Sequence, residues 1–108
     1  MSDLKIDFVL AENQESFTTE VVKGFLEGVI IDSASRCDVI IRSSMGYLVL
    51  HAREFSGTEY LAPRAHQIAP ERNLQHQYQF DKFLLNEPLE IIVSGLRGEN
   101  ISIILRTS

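Results

Sequence analysis

The chain has 108 residues, of which 44% are hydrophobic and 23% charged, and its formal net charge is −5. That length suits one domain with one core, 1–108, and the composition excludes disordered, collagen-like and disulfide-scaffold classes. No apolar run is long enough to cross a bilayer as a helix, and no basic stripe is available for nucleic-acid phosphates, so neither membrane insertion nor nucleic acid is expected.

The charge is unevenly spread. Residues 1–32 set Lys5 and Lys23 against Asp3, Asp7, Glu12, Glu15, Glu20, Glu27 and Asp32. Such an acidic stretch reads as a solvated face or as half of a charge-complementary contact. Cys37 is the only cysteine, which rules out an internal disulfide. The start Met-Ser-Asp-Leu-Lys lacks the apolar segment of a signal peptide. The expectation is a protein made in the cytoplasm and not secreted.

In chain order, Leu4, Ile6, Phe8 and Leu10 alternate as one face of a half-buried strand. Residues 11–16 are polar and read as a turn. Residues 17–31 are ambiguous. Phe17, Val21, Phe25 and Val29 recur at every fourth position, which suits a helix. Thr18, Thr19, Val21, Val22, Val29, Ile30 and Ile31 are β-branched, and Gly24 and Gly28 would each weaken a helix by about 1 kcal/mol. Strands are favoured, with one of these glycines at a bend or bulge.

Residues 37–52 read as a hairpin. Pairing Ile41 with Leu48, Val39 with Leu50 and Cys37 with Ala52 aligns two apolar faces and leaves Ser43, Ser44, Met45 and Gly46 as the loop. Residues 53–77, with Gly57, Pro63 and Pro70, read as a long loop interrupted by a short strand near Glu59–Ala62. Gln77–Leu84 reads as a strand with Tyr78 and Phe80 on one face. A second hairpin over 89–106 pairs Ile91 with Leu105 and Val93 with Ile103, with Gly98 in its turn. These registers place Ile40 opposite Val49, and Ile92 opposite Ile104, on the face away from the core. That face is either ordinary cross-strand pairing or a surface that a partner covers. Strands about every ten residues, joined by Gly, Ser and Asn turns, predict an all-β domain. The expected architecture is an antiparallel β-sandwich or jelly-roll-like barrel of seven or eight strands.

Catalytic signatures are missing. His51, His66 and His76 match no compact metal-ligand spacing, so a metal-dependent barrel is a distant alternative and no metal or cofactor is expected. Cys37 opens an apolar strand face and reads as a small buried residue rather than a nucleophile. There is no nucleophile elbow, phosphate-cradling loop or dinucleotide fingerprint, and Gly95-Leu96-Arg97-Gly98 is a turn. An enzyme is not expected. Arg53, Tyr60, Arg64, His66 and Arg72 are residue types that dominate protein contacts, and with Ile40, Val49, Ile92 and Ile104 they form the candidate interface.

An acidic N-terminal third, two tight hairpins and one long mid-chain loop give a layout that resembles the small β-sandwich proteins that decorate or join the shells and tails of tailed bacteriophages. The resemblance spans the whole chain and rests on layout, without a diagnostic motif. It implies a non-enzymatic structural subunit of a virion, contacting copies of itself or other subunits. The alternative is a small carbohydrate- or ligand-binding module, with Tyr60 or Tyr78 against the ligand.

Overall fold

The computed structural model describes residues 2–68 and 78–108, with backbone only for 65–68 and 78–81. Nine strands follow in chain order: β1 (Ser2–Val9), β2 (Gln14–Thr18), β3 (Val22–Ser43), β4 (Leu48–Leu61), β5 (Ala65–Ile68), β6 (Tyr78–Asp81), β7 (Leu84–Glu87), β8 (Leu89–Gly95) and β9 (Asn100–Thr107). Among the described residues there is no helix. β5 and β6 form a two-stranded sheet, and the other seven form one antiparallel sheet curled into a half-barrel. The all-β expectation therefore holds.

The 22-residue β3 organises the sheet. Its first half, Leu26–Ser33, pairs with β9, and its second half, Cys37–Ser43, pairs with β8. β1 lies outside β9, and β2 lies outside β8. β4 pairs with β3 across both halves, and β7 pairs with Val22–Phe25. All the long elements bend or break at one level: residues 10–13, 33–37, 54–57 and 96–99. Backbone bonds stitch that corner together, with the Leu10 N–H donating to the Glu99 carbonyl at 3.0 Å and the Gly98 N–H to the Leu10 carbonyl at 2.7 Å. The Gly95 N–H donates to the Asn13 carbonyl at 2.9 Å.

The bend folds one apolar face onto itself. Val29, Ile31, Val39, Ile41, Ile91, Val93, Ile103 and Leu105 are fully buried along it, and Leu10 plugs the corner. Leu4, Ile6, Phe8 and Phe17 border this core, and the Phe8 and Phe17 rings meet edge to face at 5.1 Å. At the other end, the Tyr47 ring stacks on Phe83 at 6.0 Å and ties the β3–β4 turn to the approach of β7.

Within 17–31, Phe17 and Thr18 end β2 and 22–31 open β3, as their β-branching suggests, with a break at 19–21, Gly24 at φ 109° and a register shift between Leu26 and Gly28. Gly46 takes φ 99° in the β3–β4 turn. Three expectations are corrected. First, β8 and β9 do not pair with each other. They run almost end to end along one edge of β3, because that strand is long enough to accept both. Second, the β3–β4 register is displaced: by two residues at Ile41 and Val39, which face Leu50 and Ala52, and by three at Cys37, which faces Phe55. A bulge near Arg42/Leu48 turns Leu48 outward and Val49 into the core. Third, the stretch from residue 53 is strand as far as Leu61, so the long loop is not a loop there. Residues 69–77 lie outside the described residues. The early turn is also shorter than 11–16, since β2 begins at Gln14.

Candidate functional site

With the core on the concave side, the even-numbered positions of β3 from Gly28 onward and those of β9 face outward. The expected outward pairs, Ile40 with Val49 and Ile92 with Ile104, do not form. Ile40 faces Ile92 on one side and His51 on the other. Ile104 faces Ile30 and Lys5. Val49 is removed from the candidate interface, because it is buried in the core at 6% exposure. Ile40, Ile92, Ile30 and Ile104 are half-buried, two in each half of the sheet. Beside the first pair, the Arg42 guanidinium binds the Glu90 carboxylate, shading the aliphatic surface.

The larger outward apolar groups lie around the start of β3, and sequence reasoning missed them. Phe25 and Leu84 stand directly opposite each other across β3 and β7, 46% and 67% exposed. Leu26 and Leu85, their chain neighbours, fill the core. Alternation thus leaves two large apolar side chains together on the outside. Their signal was present in the sequence, but Phe25 also fits the every-fourth-residue pattern, and its pairing with Leu84 is 59 positions away along the chain.

Tyr60 lies on the same outer side, opposite Ile30, with its ring over Gly28. A β-carbon at Gly28 would collide with that ring, so the glycine is what lets the tyrosine lie flat on the sheet. The Tyr60 hydroxyl donates to the Glu27 carbonyl at 3.4 Å, and Arg64 Nη1 reaches the same oxygen at 3.4 Å while donating to the Pro63 carbonyl at 2.8 Å. The Glu27 carboxylate holds Lys82 Nζ at 2.8 Å. That hydrogen bond, followed by one from Ser108, keeps the Glu27 carboxyl below its ordinary range.

The candidate residues therefore divide. Tyr60 and Arg64 converge on Glu27, with Arg64 half-buried. Arg53 is exposed beside the β4 bulge in the other half of the sheet. The His66 backbone pairs with Phe80, and the side chains of both lie outside the described residues, as do Arg72 and His76 entirely. Cys37 is buried, and burial pushes its thiol up, which opposes nucleophilic chemistry. Among the described residues, no group of three or more His, Cys, Asp or Glu side chains is placed to hold a metal.

A groove of mixed polar and apolar lining lies across the outer corner, formed by Asp7, Phe8, Val9, Asp32, Asn100, Ile101 and Ser102. The Thr58 hydroxyl donates to Asp32 Oδ1 there at 2.8 Å. No family model and no curated protein matches this chain.

Proposed function

We propose that the chain is a non-enzymatic structural subunit of a multi-protein assembly, of the kind found in the shells and tails of bacteriophages. The observation that carries the reading is the Phe25–Leu84 pair. The core is already filled beneath it by Leu26 and Leu85, so the exposed pair is not needed to complete the core and offers an apolar contact to a neighbour. Tyr60 and Arg64 border it through Glu27 and supply the amphipathic residue types favoured at contact centres.

The test is incorporation. Mass spectrometry of particles purified from a phage that encodes this chain is expected to find it at stoichiometric copy number. Replacing Phe25 and Leu84 by Ser together should deplete it from those particles while leaving the purified subunit folded. Particles that never contain the chain would end the virion reading.

The groove at Asp7, Asp32, Asn100 and Ser102 favours a second reading, a small ligand-binding module of lectin type. It combines hydroxyl-binding groups with apolar lining from Phe8, Val9 and Ile101. A glycan array separates the two, since saturable binding lost in Asp32→Ala belongs only to the second.

A further inference from the structure

The half-barrel leaves two long outer edges, and they are built differently. β4 is blunted: its pairing with β3 contains three register shifts, and Glu54 and Gly57 take φ of 47° and 88°. Bulges of this kind keep a sheet edge from recruiting another strand. β1 has no such protection. It pairs with β9 without interruption from Ser2↔Thr107 to Val9↔Asn100, and among the described residues no strand occupies its other edge. It contains no proline and no glycine. Its inward side chains Leu4, Ile6 and Phe8 are only half-buried, so the apolar layer runs out to this edge unfinished.

We infer that a second copy of this chain pairs antiparallel with β1, with Ile6 on the two-fold axis. The strand's own sequence selects both the partner and the register. Opposed residues in an antiparallel pair share a face, so any odd displacement would put Asp3, Lys5 or Asp7 against the apolar layer. Of the remaining two-fold registers, the one centred on Lys5 sets Lys5 against Lys5 and Asp3 against Asp7. The one centred on Leu4 sets each Lys5 opposite Asp3, whose carboxylate Arg106 already holds, and leaves Asp7 and Phe8 without a partner in β1. The one centred on Ile6 sets each Lys5 opposite Asp7 of the second copy and each Leu4 opposite Phe8 of the second copy. The chain is thus complementary to itself in charge and in apolar pattern over 4–8. Lys5 Nζ already lies 3.7 Å from Asp7 Oδ2 of its own strand, and both side chains are more than half exposed, so the exchange of partners needs no new burial of charge. This names one contact within the assembly reading.

The experiment is native mass by light scattering over a concentration series, on the full chain and three charge variants. The unaltered protein is expected to form a concentration-dependent dimer. Lys5→Asp and Asp7→Lys each turn two favourable cross-strand pairs into two repulsive ones, and each should weaken the dimer about tenfold or more. The double variant restores the pairing in reverse and should recover most of the affinity. Because these side chains point to solvent, circular dichroism should show all variants folded. A monomer at every concentration overturns the inference, as does a dimer indifferent to the single reversals, or single losses that the double variant fails to rescue. If particles contain a chain that is monomeric alone, the assembly reading stands and the β1 contact falls. A dimer without incorporation gives the reverse outcome.

Discussion

At the scale of single residues, stability lies in the branched aliphatic side chains of the inner face. Ile41 and Ile103 are both fully buried, and cutting either to Ala leaves a cavity that neighbouring strands cannot close. Each substitution should cost about 2–5 kcal/mol in chemical denaturation. Charge matters less at this scale, and its signature is titration. Asp3 accepts two bonds from Arg106, at 3.0 and 3.2 Å, and this hydrogen bonding holds its carboxyl below the ordinary aspartate range. A carboxyl depressed by folding contributes stability above its unfolded pKa, and that contribution is lost as pH falls through the folded pKa. Carboxyl NMR should show Asp3 titrating late on acidification, and Arg106→Gln should return it to the ordinary range. The effect on global stability should be small, because the pair is exposed.

At the scale of elements, the β4 bulge has an identifiable fastener. Glu54 sits at positive φ, which costs an L-residue about 1–2 kcal/mol. Its N–H donates to Asp38 Oδ1 at 2.7 Å across the strand pair. The carboxylate thus satisfies a backbone donor that the register shift takes out of the ladder. Asp38→Ala should destabilise the chain by about 1 kcal/mol. Hydrogen exchange offers the sharper check, with faster exchange at the Glu54 amide and little change at Ile41. Alternation made the faces of β1, β3, β8 and β9 legible without any structure. The neighbours of those strands were not legible, because an inward Ile91 looks the same whether it faces Ile41 or Leu105.

At the scale of the molecule, the bend is the decisive feature. Every long element turns at the same level, so one sheet supplies both walls of its own core. This leaves a convex outer surface, where Phe25 and Leu84 stand exposed, and two edges of unlike character. Because the pair lies outside the core, the double serine variant should keep the thermal midpoint of the unaltered subunit within a few degrees. A collapse of the midpoint would make the pair part of the fold rather than a contact. Of the residues proposed for contact, Tyr60 and Arg64 converge on Glu27, Ile40 meets Ile92, Ile104 meets Ile30, and Val49 lies in the core.

The sequence alone determined the all-β class, the inner faces of β1, β8, β9 and the second half of β3, and the turn at Gly46, and over 17–31 it favoured strand without deciding against a helix. These follow from period-two patterning, β-branching and positive φ, which are local properties of a few consecutive residues. Only the tertiary structure decided that β8 and β9 lie end to end along β3 rather than against each other. It also decided the displaced register of β4, the burial of Val49 and the juxtaposition of Phe25 with Leu84. Those outcomes depend on the length of β3 and on a bulge that carries Leu48 outward and Val49 into the core. A displacement by an even number of residues keeps the alternation in phase, so period-two patterning does not report it, and a bulge reverses that alternation at a place only the paired strand fixes.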